Sequence, residues 1–184
     1  MIYLTSDLHF CHNKEFLYQP RGFDNVEDMN NTIVKNWNST VNINDDIYIL
    51  GDLMLNDNKK GFDLLSSLNG KLHIILGNHD TDNRVKLYRQ CWNVKEIVHA
   101  TRLKYQNYHF FLSHYPCLCS NFDVDKPLRQ RLISLCGHSH TKNQFQDMDK
   151  GLIYHVELDA HDCKPIDIET IIRRLYTYER EGKS

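Results

Sequence analysis

This sequence predicts a single α/β domain built on a mixed sheet, and three observations point there. Short β-prone apolar runs alternate along the chain with segments of helical period. Several of those runs end in one glycine followed by a side chain able to bind a metal. The 184 residues amount to one ordinary domain, so residues 1–184 are taken as one unit, with no internal repeat or linker.

The elements follow in order. Residues 2–5 form an apolar run that ends in polar Ser6-Asp7, as a buried strand does. Across 26–41, Val26, Met29, Ile33, Val34, Trp37 and Val41 recur at helical spacing, and Asp24 or Asn25 is placed to cap the start. Residues 47–50 read as a second strand closed by Gly51, and 60–68 as a short helix stopped by Asn69-Gly70. Residues 72–76 are a third strand closed by Gly77, and 82–91 a helix. Strands follow at 94–100, 102–105 and 109–113, the last two a hairpin around Asn107. Residues 115–128 lack periodicity and read as a long surface loop, a length that in compact domains tends to be functional. Residues 132–136 are a strand closed by Gly137; 144–148 and 152–158 are strands joined by Asp149-Lys150-Gly151. Residues 167–180 close the chain as an amphipathic helix with Ile168, Ile171, Ile172 and Leu175 on one side.

Composition narrows the function. Lys+Arg number 22 against 24 Asp+Glu, a net charge of -2, so no broad basic surface for duplex nucleic acid is implied. No apolar run approaches the roughly 20 residues needed to span a bilayer, and Ile2-Tyr3-Leu4 runs straight into Ser6-Asp7 without a secretory pattern. A cytoplasmic protein is expected, with the six cysteines (11, 91, 117, 119, 136, 163) as reduced thiols. Cys117-Leu118-Cys119 has the wrong spacing for a zinc knuckle. Gly182-Lys183-Ser184 imitates the end of a nucleotide loop, but position 177 is Thr and no strand precedes it.

The chemistry is written at the strand ends: Ser6-Asp7-Leu8-His9, Gly51-Asp52, Gly77-Asn78-His79-Asp80, Ser113-His114 and Gly137-His138-Ser139-His140. In open α/β sheets ligands gather beyond the carboxyl ends of strands, and a glycine there permits the turn that aims the next side chain. Asp, Asn and His offer oxygen and nitrogen donors without thiolate, which suits manganese, iron or zinc. Seven donors exceed what one zinc uses and point to two ions sharing a carboxylate.

In order, these residues spell DxH, GD, GNHD, H and GHxH over positions 7 to 140, and the chain thereby resembles the calcineurin-like metallophosphoesterase superfamily. The stretch from Arg21-Gly22-Phe23 to Asn36-Trp37-Asn38 resembles its small bacterial or phage branch. The resemblance implies an αββα sandwich with mixed sheets and two divalent metals, manganese first, with iron, zinc or nickel as alternatives. Asp7, His9, Asp52 and His140 would hold one ion; Asp52, Asn78, His114 and His138 would hold the other, with Asp52 as the bridge. A hydroxide between the ions would attack phosphorus in line with the leaving oxygen.

His79 is left over to protonate the leaving oxygen or to hydrogen-bond the phosphoryl oxygens, with Asp80 orienting its ring or capping the next helix. His12 and Arg21 are candidate substrate contacts, whereas Lys126, Arg129 and Arg131 read as a solvated cluster, and His161 receives no role. The expected activity is phosphate-ester hydrolysis, leaning towards diesters because the small chain has no evident cap. A nuclease or end-processing enzyme is the first alternative, disfavoured by charge, and a non-catalytic metal-binding scaffold is the second.

Overall fold

The computed structural model describes residues 1–118, 126–146 and 152–181. The elements run β1 (Ile2–Thr5), α1 (Glu15–Tyr18), α2 (Val26–Thr40), β2 (Asp46–Leu50), α3 (Asn58–Ser66), β3 (Lys71–Ile75), α4 (Asp82–Tyr88), β4 (Val94–Val98), β5 (Ala100–Tyr105), β6 (Tyr108–Ser113), β7 (Leu132–Cys136), β8 (Phe145–Gln146), β9 (Ile153–His155), β10 (Ile166–Asp167) and α5 (Ile168–Glu181). Asn25 caps α2 by accepting from the Asp28 amide, and Asp57 caps α3 by accepting from Lys60.

Two five-stranded sheets result, in the orders β10-β1-β2-β3-β4 and β5-β6-β7-β9-β8. Both are mixed. β1 to β4 run parallel with β10 antiparallel at the edge, while β6, β7 and β9 are parallel between antiparallel β5 and β8. Strand alternation then sorts the side chains. Tyr3, Ile47, Ile49, Leu72 and Ile74 enter one core with Met29, Ile33 and Trp37 of α2, Leu65 of α3 and Tyr88 of α4. Leu4, Leu50 and Ile75 enter the other with Phe110, Leu112, Ile133, Leu135 and Tyr154 of the second sheet, and Ile168, Ile171 and Leu175 of α5 join them. The expected α/β sandwich with mixed sheets is therefore present, and α5 shares the core between the sheets.

The departures have local causes. The break expected after residue 100, between strands at 94–100 and 102–105, falls at His99 instead: β4 ends the first sheet there and β5 begins the second. The expected strand at 152–158 shortens to β9, and Leu158–Ala160 forms one 3-10 turn instead. α1 has four residues, too few for a helical period to register. The turn at 149–151, Cys119, residues 119–125 of the long loop and Gly182-Lys183-Ser184 lie outside the described residues. Cys11, Cys91, Cys117 and Cys163 are free thiols. No described helix is long and apolar enough to cross a membrane.

His161 is buried with its ring stacked on Tyr154, its Nε2–H donating to the His155 carbonyl at 2.8 Å and its Nδ1 facing Arg174 at 3.3 Å. Burial pushes its pKa down to about 4, helped by the Arg174 charge. The folded value lies below the unfolded one of about 6.5, so the unfolded chain takes up the extra proton. Stability from the neutral ring is thus fully present above pH 6.5 and is lost as pH falls towards 4, by about 3 kcal/mol in the limit. The thermal midpoint of metal-free protein should drop between pH 7 and 5, and the drop should be smaller in His161→Gln. Equal slopes for the two proteins would show that the proton goes elsewhere.

Candidate metal centre

β1, β2 and β3 run parallel, so their carboxyl ends lie side by side, and the segments beyond them continue as a ladder. The amides of Asp7, His9 and Phe10 donate to the carbonyls of Gly51, Asp52 and Leu53, each at 3.0 Å. Leu8, Phe10 and Leu53 are fully buried and pin these segments to the first core. Asp7 (φ 57°), His9 (49°), Asp52 (58°), His138 (74°) and His140 (48°) all adopt left-handed backbone, which disfavours side chains and concentrates at functional sites.

The glycines have a second purpose besides turning. A methyl on Gly51 would collide with His114 Nδ1, one on Gly77 with Asp52 Oδ1, and one on Gly137 with Ser6 Oγ and Asp7 Oδ2. Only Gly51, at φ 89°, also needs glycine's backbone freedom. The glycine at the other two strand ends is there because a donor from another strand, β2 for Gly77 and β1 of the other sheet for Gly137, lies against the backbone.

Seven donors converge. Asp7, His9, Asp52 and His114 form a buried floor, while Asn78, His138 and His140 stand at the exposed rim. One group is Asp7, His9 and His140: the His9 and His140 Nε2 atoms are 3.1 Å apart, and each is 3.6 Å from Asp7 Oδ1. The other centres on His114, whose Nε2 is 2.9 Å from Asn78 Oδ1 and 3.1 Å from His138 Nδ1. Asp52 Oδ2 lies 3.7 Å from His9 Nε2 and 3.6 Å from His114 Nε2, between the two groups. Donors sharing one ion at about 2.0–2.2 Å stand roughly 3.0–3.5 Å apart, and the separations here, from 2.9 to 3.7 Å, lie close to that range.

Hydrogen bonding fits metal ions at this place. His114 Nδ1–H donates to the Leu50 carbonyl at 2.8 Å, which leaves the Nε2 lone pair facing the Asn78 oxygen and His138 Nδ1. Asp7 Oδ2 accepts from the His138 amide at 2.9 Å, but Asp7 Oδ1 is buried with no hydrogen-bond partner. A buried carboxylate oxygen without a donor requires an explanation, and a cation supplies one. Burial opposes ionisation of Asp7, yet the adjoining His9 imidazole and the His140 charge hold its pKa at about 2. Burial pushes His9 down to about 4 despite Asp7, leaving its ring neutral and able to ligate at pH 7.

No protein-family model matches the chain. It is 33% identical to an uncharacterized protein of Methanocaldococcus jannaschii over 94% of this chain and 89% of the relative. It is 31% identical to the gene 66 protein of Mycobacterium phage L5 over 86% of each. Among solved structures, a protein of unknown function from Aquifex aeolicus superposes with a TM-score of 0.69 at 23% identity, covering 94% of this chain and 98% of that one. A novel archaeal phosphodiesterase superposes at 0.52 and 16% identity, covering 92% and 94%. The chain belongs to one family with the archaeal and phage relatives and shares its fold with the phosphodiesterase.

The residues of all five motifs reach this site, and two other expectations need correcting. Asp80 does not touch the His79 ring and does not cap α4. Its Oδ2 accepts from the amides of Asp52 (2.9 Å) and Gly77 (2.8 Å), and its Oδ1 from Leu53 (3.2 Å) and the Tyr88 hydroxyl (2.7 Å). It ties the Gly51-Asp52 turn to the Gly77-Asn78 turn. Arg21 is not a free substrate contact either: its side chain is 1% exposed and its guanidinium is spent on Asp159 and the Asp7 carbonyl. His12 turns its Nδ1 to His9 Nδ1 at 3.3 Å, so it supports a ligand before it can reach a substrate.

His79 fits its expected place, with a side chain 41% exposed, Nε2 3.9 Å from Asp52 Oδ2 and its amide donating to Asp52 Oδ1 at 2.9 Å. Sequence reasoning missed Asp159, whose Oδ2 is 3.1 Å from His140 Nδ1. It too is a carboxylate following a β-prone run, but without the glycine that marked the others. Gly137→Ala should lower stability by about 1–3 kcal/mol through overpacking and weaken manganese binding at least about tenfold by displacing Asp7. Calorimetric titration checks this, and unchanged affinity would mean that the methyl is accommodated.

Proposed function

We propose that this chain is a metal-dependent phosphoesterase of the calcineurin-like superfamily, that it hydrolyses phosphodiesters with two divalent ions, manganese first among them, and that residues 1–184 act as one catalytic domain. The observation that carries the two-ion reading is Asp52 Oδ2, within 3.7 Å of a ligand nitrogen from each donor group. When bound, such ions lower the pKa of a water molecule and neutralise charge on the phosphoryl group. Asp7, His9 and His140 would hold one ion, Asn78, His114 and His138 the other, and Asp52 both. His79 stands at the rim beside Asp52 with a half-exposed ring, where it would protonate the leaving oxygen. The preference for diesters rests on access: Asn78, His138 and His140 are exposed, and no described residue closes over them. A substituent on each side of the phosphorus would therefore be accommodated.

A nucleotide-bearing diester is a narrower form of this reading, favoured by two exposed rings at the rim. Tyr115 is 47% exposed and lies 5.0 Å from the His114 ring and 4.9 Å from that of His138. Phe16 is 72% exposed and lies 5.7 Å from His12. Such rings stack on bases without reading sequence.

Metal-stripped protein should be inactive, and added manganese should restore faster turnover of bis(p-nitrophenyl) phosphate than of p-nitrophenyl phosphate. The reverse order would make the protein a monoesterase. Asp52→Asn should lose most activity together with bound metal, and normal turnover with both ions retained would remove its bridging role. His79→Ala should keep its metal but lose about 10²–10⁴ in turnover of an alkyl ester. The loss should be smaller for a nitrophenyl ester, whose leaving group needs no proton. Equal losses would assign His79 to binding the phosphoryl oxygens.

A further inference from the structure

Arg21 and Asp159 form a buried ion pair between residues 138 positions apart, with side chains 1% and 8% exposed. The pair is two-pronged: Arg21 Nε donates to Asp159 Oδ1 at 3.1 Å and Nη2 to Oδ2 at 2.7 Å. Nη2 also donates to the Asp7 carbonyl at 2.8 Å, while Asp159 Oδ2 accepts from His140 Nδ1 at 3.1 Å. Asp7 and His140 belong to the same donor group. The pair therefore touches both ends of one ligand set and neither end of the other.

We propose that Arg21 and Asp159 are positioning residues which set the affinity of one metal ion of the two, the one held by Asp7, His9 and His140. This rests on the two-ion reading above. A carboxylate on the outer nitrogen of a ligating histidine fixes its tautomer and its ring plane. With Nδ1–H given to Asp159, the Nε2 lone pair of His140 points at His9 Nε2 and Asp7 Oδ1, at 3.1 and 3.6 Å. His140 needs that restraint more than its partners. Asp7 and His9 are gripped by the core, whereas the His140 side chain is 34% exposed on a left-handed backbone.

Arg21 completes the clamp by holding the left-handed turn at Asp7 to the same carboxylate. Asp159 is itself anchored, because the Leu158 amide donates to the Ser6 carbonyl at 3.3 Å, next to Asp7. The second donor group is built otherwise. His114 gives its outer nitrogen to the Leu50 carbonyl, a backbone atom that no side-chain substitution removes. Loss of the clamp should therefore separate the two ions.

The test is manganese titration of metal-free protein, followed by calorimetry and by the spin coupling between neighbouring manganese ions. Wild type should bind two ions. Asp159→Ala should bind one with wild-type affinity and the other 10–100-fold more weakly, with the coupled signal lost at substoichiometric metal. Asp159→Asn should fall between, since its amide oxygen still accepts from Nδ1–H. Arg21→Met/Asp159→Asn should be no worse than Asp159→Ala, because it removes both charges of the pair together. Circular dichroism of the metal-free proteins establishes folding, and should Asp159→Ala not fold, the double variant carries the comparison. Equal weakening of both ions, or of neither, in a folded variant would overturn the proposal and leave the pair purely structural. Fewer than two ions in wild type would instead overturn the two-ion reading beneath it.

Discussion

The rest of the structure depends on one unfavourable convergence: acceptor atoms facing acceptor atoms in a buried place. Asp7 and Asp52 both belong to a donor group whose ligand atoms lie within 4.8 Å of one another. Two unit negative charges at that distance repel by about 3 kcal/mol even at an effective dielectric of 20. The lone pair of His114 faces the Asn78 carboxamide oxygen at 2.9 Å, and Asp7 Oδ1 has no donor. Five of the ligand residues also hold left-handed backbone, at roughly 1–2 kcal/mol each for a non-glycine residue. A protein keeps such an arrangement only where the surrounding core enforces it, and here Leu8, Phe10 and Leu53, all fully buried between or beside the ligands, enforce it.

The sandwich brings donors together that one sheet alone would not. Asp7, Asp52 and Asn78 follow consecutive parallel strands of the first sheet, whereas His114, His138 and His140 follow β6 and β7 of the second. The sheets meet where the donors do. Ser6 bridges to Glu157 beside the end of β1, and the Gly137 amide donates to the His114 carbonyl at 3.0 Å. Gly137 then lies against Ser6 and Asp7, so here the two sheets meet through a glycine set on a candidate ligand. Asp80 performs the equivalent task within the first sheet by accepting from the amides of two ligand-bearing turns.

Much of this was legible in the sequence because both signals are local. Apolar runs closed by glycine marked β2, β3 and β7, and the residue after each closure is a donor or precedes one. What was not legible depends on contacts between distant positions. Arg21 looks like any surface arginine until Asp159 is brought to it from 138 residues away. Asp80 reads as a companion of its neighbour His79, but its carboxylate turns towards amides of a different strand end. The division into two sheets was hidden for a similar reason: β4 and β5 are separated by His99 alone, and nothing in that short spacing marks a change of sheet. Asp159 follows a β-prone run, but the chain turns there through a 3-10 segment instead of a glycine, so the pattern that identified the other donors passed over it.

The division between floor and rim fixes how chemistry can proceed. Asp7, His9, Asp52 and His114 are buried and sealed behind packed strands, so nothing larger than an ion approaches from their side. Asn78, His79, His138 and His140 carry the solvent-facing edge, and a phosphoryl group must meet the site there. On the proposed reading, in-line phosphoryl transfer would put the leaving oxygen outward, on the side of His79, whose ring is the half-exposed one beside Asp52. Specificity consequently lies with what borders that edge, and the exposed rings of Tyr115 and Phe16 border it at His138 and at His12. The same motif set can serve many esters in this way, because the buried floor governs the ions while the rim alone meets the rest of the substrate.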